Sequence, residues 1–253
     1  MEDKLSIVIP TYQRTADLAE CLRSIREKSA GVCEVIVLCP EPEPDLREVC
    51  DRYRAALYDD GSRLDGRRVK SLWAIINQGI EIASRPFVCW LNDDCRVNES
   101  WDAIALGYFQ PDVGIVVMKA KGINQNPDYH IGPGYYGVPV ANYGVLRKSS
   151  GIRFDERFSW FYGDADISLQ MATNTDLRVV GTTEGLVAHE HRADEIRRLN
   201  ENDPRAARDR RYFDRKWSYK KRVGNRIVNM NVVEMVGAFA AGAARAAWHA
   251  LKR

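Results

Sequence analysis

Six consecutive residues, Trp90-Leu91-Asn92-Asp93-Asp94-Cys95, concentrate the chain's most reactive side chains. An apolar run over 86–91 reads as a buried strand, and it stops at an amide and two carboxylates. Adjacent acids at the end of a buried strand repel each other and are tolerable where a cation or solvent meets them. In open α/β sheets the ligand crevice lies outside the carboxyl ends of the strands. Two readings follow. Either the acids help a divalent cation hold a phosphorylated ligand, or they only start the turn before a helix near Asn98.

Three further stretches carry usable chemistry. In Trp160-Phe161-Tyr162-Gly163-Asp164-Ala165-Asp166, three aromatic residues precede two acids at the start of a helix. Asp is a favoured helix N-cap, worth about 1 kcal/mol. An acid beside aromatic rings is also a carboxylate whose pKa burial can raise, as a proton acceptor needs. His189-Glu190-His191 follows a strand-like run, and alternate residues of a strand point the same way, so His189 and His191 join Asp94 as candidate metal ligands. Finally, the loop 61–70 carries Arg63, Arg67, Arg68 and Lys70 just before a helix that Ser71 can cap. Basic residues there suit a phosphate, and the alternative is a solvated charge cluster.

The elements that must position these groups alternate. Residues 5–9 form a β-rich run closed by Pro10. Thr15 can cap a helix with Leu18, Leu22 and Ile25 on one face, and Gly31 ends it. A second strand over 35–38, a helix over 46–56 and a short third strand over 56–58 follow. The helix from Ser71 shows Leu72, Ile75, Ile76, Gly79, Ile80 and Ala83 at helical spacing. After the strand 86–91 come a helix over 99–109 and a strand over 113–118. Residues 120–142 are rich in Gly, Pro, Asn and Tyr, a loop-rich insertion suited to a second substrate. A strand over 144–146, a helix near 167–171 and strands over 177–180 and 185–188 complete the pattern. Strand and helix in this alternation predict an α/β fold with parallel, right-handed crossovers.

The chain has 253 residues, enough for one large α/β domain with a tail, and its 45% hydrophobic content can build a full core. A net charge of +2 implies no globally acidic or basic partner, yet 205–222 holds nine Lys/Arg against two Asp. The six cysteines form no CxxC pair and read as reduced, mostly packed residues of a cytoplasmic protein. Met1-Glu2-Asp3-Lys4 leads straight into a strand and is not read as a signal peptide, and no run reaches the roughly 18 apolar residues of a membrane span.

From Asp194 onward the texture changes. Tyr212, Phe213, Trp217 and Tyr219 stand among Arg and Lys. After Asn225 an Ala-rich helical pattern puts Val232, Met235, Val236, Phe239 and Ala243 on one face. Such a tail suits the inner membrane surface as a peripheral anchor, or packing on its own domain or on a second copy in a homodimer; nucleic acid is not expected as a partner.

Taken together, these stretches resemble family 2 glycosyltransferases of the GT-A fold, in order, from about Leu5 to His191. Leu5-Ser6-Ile7-Val8-Ile9-Pro10-Thr11-Tyr12 is similar to the family's opening strand and nucleotide-binding loop. Asn77-Gln78-Gly79-Ile80 resembles its Asn-x-Gly-Ile segment, and Leu91-Asn92-Asp93-Asp94 its Leu-Asp-Asp-Asp metal motif. Phe154-Asp155-Glu156 with Gly163-Asp164-Ala165-Asp166 resembles its Phe-Asp-Glu and Glu-Asp-x-Asp pair, and Val187-Ala188-His189 its late metal-ligand position.

The resemblance implies a mixed, mostly parallel sheet flanked by helices: a GT-A domain over 1–195, with a nucleotide-sugar-binding part (1–118) and an acceptor and catalytic part (119–195), then a basic helical tail (196–253). It implies inverting transfer from a nucleotide-diphosphate sugar to a hydroxyl of a glycan or lipid-linked acceptor, in cell-surface polysaccharide or glycolipid synthesis. A divalent metal, Mn²⁺ or Mg²⁺, is held by Asp94 with His189 or His191. Asp164 is the implied base, with Asp166 beside it. Donor contacts fall to Pro10, Thr11, Tyr12, Arg14, Asp60, Lys70, Asn77, Asn92 and Asp93, and acceptor contacts to Trp160, Phe161 and Tyr162.

Three positions depart from the family pattern: Asn92 stands where Asp is frequent, Gly163 replaces the Glu before the base, and Asp59-Asp60-Gly61-Ser62 falls after the third strand rather than the second. A nucleotidyltransferase needs a Gly-rich, Arg-containing loop after the first strand, which Pro10-Thr11-Tyr12-Gln13-Arg14 does not provide. A non-catalytic scaffold or sugar-nucleotide-binding protein of the same fold is the remaining alternative.

Overall fold

The computed structural model describes residues 4–64, 67–121, 136–189, 203–223, 226–230, 234 and 237. The chain runs β1 (Leu5–Pro10), α1 (Thr15–Lys28), β2 (Glu34–Cys39), α2 (Pro44–Arg52), β3 (Ala56–Asp59), a two-residue pair β4 (Arg63–Leu64) and β5 (Arg67–Arg68), and α3 (Leu72–Ile82). It continues with β6 (Phe87–Trp90), β7 (Cys95–Val97), α4 (Trp101–Gly107), β8 (Val113–Lys121), β9 (Gly144–Arg147), α5 (Gly163–Asn174) and β10 (Arg178–His189). Helix α6 (Pro204–Trp217) and the hairpin β11 (Lys220–Val223)–β12 (Arg226–Asn229) follow.

Eight strands form one sheet in the order β3-β2-β1-β6-β9-β8-β10-β7. Pairing is parallel from β3 to β6 and between β8 and β10, while β9 and β7 run antiparallel to their neighbours. This is the mixed, mostly parallel sheet that the resemblance implies. The alternation of side chains along each strand divides the core in two. Leu5, Ile7 and Ile9 of β1 face Leu18, Leu22, Leu46 and Trp101 of α1, α2 and α4. Val8, with Ile36 and Leu38 of β2, faces Ile76 and Ile80 of α3, Ile167 of α5, and Phe213 and Trp217 of α6. On α3 the sheet comes so close that a Cβ at Gly79 would lie 2.3 Å from Val8 Cγ1, so only glycine fits there.

Several expectations shift. The strands expected over 177–180 and 185–188 are one strand, β10, bent by irregular register between Gly181 and Val187. The acids after β6 lead first into β7, a three-residue edge strand too short for its alternation to be legible. Helix α5 begins at Gly163, not near 167, and Thr15 lies inside α1, whose cap position is Arg14 without a side-chain cap bond. The described part of the 196–253 segment is built into the body rather than trailing from it: Phe213 and Trp217 are each 4% exposed. The Ala-rich helix with its expected membrane or homodimer face lies outside the described residues except for 226–230, 234 and 237. No helix among the described residues is long and apolar enough to cross a membrane. All six cysteines are buried and free.

Candidate active site

The carboxyl ends of β3, β2, β1 and β6 lie side by side, because these strands are parallel and in register: Cys39 pairs with Asp59, Pro10 with Leu38, and Val8 with Trp90. Loops leaving this edge bring together Thr11, Arg14, Asp93 and Asp94. Just beyond Pro10, Thr11 donates its hydroxyl to Asp93 Oδ2 at 2.7 Å. Arg14 lies 3.1 Å from Asp94 Oδ2 and 3.5 Å from Asp93 Oδ1. Asp94 Oδ1 is 2.7 Å from His189 Nε2. That last meeting is set by the sheet: β7 and β10 pair antiparallel with His189 opposite Cys95, so His189 stands beside the residue next to Cys95.

The two acids sit in different electrostatic surroundings. Burial pushes Asp93 up to about 6 against the Thr11 hydrogen bond and the Arg14 charge. Burial also acts on Asp94, but the hydrogen bond and charge of His189, with Arg14, outweigh it and hold its carboxyl below the usual value. Asn92 donates Nδ2–H to the hydroxyl of Tyr143 at 3.3 Å. Tyr143, between the loop-rich insertion and β9, is 2% exposed and sets its ring edge-on to His189. Burial first, then Cys95 and the charges of both Asp94 and Asp164, push the Tyr143 hydroxyl well above its ordinary range, so Tyr143 senses the acids on both sides of the site.

On the opposite side, Tyr162 adopts φ +67° and Gly163 opens α5, placing Asp164 in its first turn. Asp164 Oδ1 accepts the Ala165 N–H at 2.8 Å. Burial raises its pKa, with its own and the Ala165 N–H opposing. Asp166 is 0% exposed and faces away into the core, where it accepts Trp217 Nε1–H at 2.8 Å, Lys216 Nζ at 2.7 Å and Gln170 Nε2–H at 2.7 Å. Trp160 meets the guanidinium of Arg205 at 6.0 Å, and the ring of Tyr162 packs 5.1 Å from that of Phe213. Phe161 is partly buried.

Three expected donor residues are engaged elsewhere. Asn77, 6% exposed, donates to Phe154 O and Glu156 Oε1, both at 2.9 Å, and accepts Phe154 N–H at 3.0 Å. Its amide ties α3 to the segment 154–156. Asp60, 1% exposed, closes its own turn by accepting Ser62 N–H at 2.6 Å. Lys70 Nζ donates to Asp60 O at 2.6 Å and to Gln78 Oε1 at 3.1 Å, fastening that turn to α3. The Asp59–Ser62 turn nonetheless sits at the level of Cys39, one strand away from the usual place of the motif. Tyr12 stacks under Arg63 at 4.4 Å, beside a small cleft also lined by Pro40, Glu41 and Leu46. His191 lies outside the described residues. Sequence reading missed Tyr143, Trp73 and Asp209; for Asp209 a signal existed, since Asp209, Phe213 and Trp217 recur every four residues.

A family model, Glycosyl transferase family 2, matches residues 6–172. The chain belongs to that family. Solved structures similar to this glycosyltransferase share the GT-A fold. TarS 1-349 from S. aureus has a TM-score of 0.57 and 16% identity over 74% of this chain and 60% of that one. Against the longer TarS structure the glycosyltransferase spans only 44% of the relative's length. Glucosyl-3-phosphoglycerate synthase from Mycobacterium tuberculosis aligns with a TM-score of 0.62 and 12% identity over 85% and 80% of the two chains. The mannosyltransferase PcManGT from Pyrobaculum calidifontis gives 0.60 and 14%, over 83% and 65%. No match to a curated protein is found.

Proposed function

We propose that this glycosyltransferase moves a sugar, with inversion, from a nucleotide-diphosphate sugar to a hydroxyl of a glycan or lipid-linked acceptor in surface-glycan synthesis, and that it uses Mn²⁺ or Mg²⁺. The observation that carries the reading is the convergence of Asp94 and His189, far apart in sequence, to 2.7 Å at the carboxyl edge of the sheet. The neighbours support it: the M. tuberculosis synthase was solved with UDP and Mn²⁺ or Mg²⁺, and PcManGT with GDP-Man and Mn²⁺.

The donor set fits such a cation. A carboxylate and an imidazole share one hydrogen bond whose proton a cation would replace. Among the described residues no three His, Cys, Asp or Glu cluster to hold a metal, so Asp94 and His189 are the two groups that would hold it. When bound, it neutralises charge on the departing nucleotide diphosphate.

The chain's own residues do the rest. Arg14, next to Asp94, adds positive charge at the diphosphate. Thr11 fixes the Asp93 carboxyl toward the donor loop. Asp164, its pKa raised, takes the proton of the attacking hydroxyl, while Trp160 and Phe161 flank the acceptor. A thermal-shift panel of UDP- and GDP-sugars with and without Mn²⁺ tests the reading, because a ligand of the native state raises Tm by mass action. Metal-dependent stabilisation by one class, followed by a product of inverted anomeric configuration in NMR, is expected. A panel with no shift defeats the reading.

A further inference from the structure

Helix α6 lies beyond the family match, yet it reaches into the site. Asp209, near its middle and 1% exposed, points Oδ2 at three successive backbone N–H groups: Ser159 at 2.9 Å, Trp160 at 3.0 Å and Phe161 at 3.2 Å. Consecutive N–H groups converging on one point form a concavity that binds anions. Here the chain fills that concavity with its own carboxylate. The other oxygen, Oδ1, is buried and has no hydrogen-bond partner among the described residues. Leaving half a buried carboxylate unsatisfied costs stability, which the three bonds at Oδ2 offset.

The same helix grips the segment from both sides. Arg208 donates to Ser159 Oγ at 3.1 Å, Tyr212 and Lys216 donate to Asp155 at 2.9 and 2.8 Å, and Trp217 and Lys216 hold Asp166. The loop so fixed carries Trp160 and Phe161 and runs through Tyr162 into the first turn of α5, where Asp164 sits. Nothing on α6 among these contacts touches Asp93, Asp94 or His189.

We infer that Asp209 is a positioning residue for the acceptor side of the site: its carboxylate sets the backbone of 159–161, and through it the aromatic residues ahead of Asp164, without acting on donor or metal. The inference rests on the glycosyltransferase reading above for its kinetic consequence, but the tether itself can be read without a substrate.

The test uses the full chain with Asp209→Asn and Asp209→Ala. Asn keeps one accepting oxygen and loses the charge; Ala loses both. Amide hydrogen exchange at Ser159, Trp160 and Phe161 is expected to quicken at least tenfold in the Ala variant and less in the Asn variant, while exchange in β1 and β6 stays unchanged. Calorimetric affinity for UDP and GDP with Mn²⁺ is expected within twofold of wild type. With the donor from the thermal-shift panel at saturation and an acceptor that supports transfer, the acceptor KM rises tenfold or more in the Ala variant and less in the Asn variant, and the donor KM moves less than twofold. The inference is overturned if both variants keep the wild-type exchange at 159–161, or if donor KM and nucleotide affinity deteriorate as much as the acceptor KM. A panel that finds no donor sinks the glycosyltransferase reading alone, and the exchange rates still decide whether Asp209 holds the loop.

Discussion

The indole of Trp73 occupies the space where a side chain at residue 163 would begin: a Cβ on Gly163 would lie 2.2 Å from Trp73 Cε2. Trp73 in turn stacks on Phe154 at 4.8 Å, and Phe154 meets Trp90 edge-on at 5.0 Å. The glycine at a place where the family frequently has Glu is therefore a packing solution: an aromatic ring from α3 takes the volume.

Restoring the family residue alone is expected to fail. Gly163→Glu overpacks this contact, and a tightly packed core loses about 1–3 kcal/mol to such an insertion. Thermal unfolding should show a clear drop in Tm, and combining it with Trp73→Ala should recover part of the loss. Strict additivity in that double-mutant cycle counts against the contact.

Asp164→Asn separates chemistry from stability. Loss of a general base typically costs about 10²–10⁴-fold in rate, so transfer should nearly vanish while nucleotide affinity persists. The native pKa of Asp164 lies above its unfolded value, so the native state holds the proton more tightly and stability falls as pH rises through the native pKa. The Asn variant, neutral throughout, should therefore melt higher than wild type at pH 7 to 8, and the gap should close below about pH 3.8, where both states of the wild type are protonated. By the same logic the acid limb of the wild-type rate profile should lie above the ordinary carboxylate range. Full activity in the Asn variant removes Asp164 as the base.

Asn92 keeps a third negative charge away from Asp93, already raised to about 6 by burial, while its amide reaches Tyr143. Asn92→Asp should cost about 1 kcal/mol without metal, through like-charge repulsion, and Mn²⁺ should raise its Tm more than it raises that of wild type. Equal melting without metal argues against charge crowding there.

Asp94→Ala should weaken Mn²⁺-dependent nucleotide binding by at least about tenfold, or 1.4 kcal/mol. Asn77→Ala should instead lower stability by about 2 kcal/mol, since it orphans the buried Phe154 N–H, and leave nucleotide affinity intact. Titration calorimetry beside thermal unfolding distinguishes the two; a nucleotide defect in the Asn77 variant returns that residue to the donor cleft.

Much of the fold was legible because apolar runs and punctuating residues repeat at strand and helix spacing, and because acids ending β6 and histidine ending β10 are conspicuous after such runs. Side-chain direction was not. Asn77 sits in a family motif, yet one turn of α3 aims it at Phe154 rather than at the donor edge. Asp166 shares a first turn with Asp164, and the helical rotation of two residues sends it into the core toward Trp217. The basic character of 205–222 masked the apolar face of α6, because charge count is independent of which side of a helix the few large residues occupy.

Strand β7 has three residues and closes one margin of the sheet. Its ladder to β10 is what brings Asp94 against His189. Margins with so few rungs open more readily than the interior of a sheet. Any ligand that bridges Asp94 and His189 must first have that ladder shut, and in return it acts as an extra rung. Occupancy of the site and closure of the sheet's last strand are thus one equilibrium, so slowed exchange of the Asn98 amide, which donates to Leu186 O across this margin, would report a ligand held between Asp94 and His189.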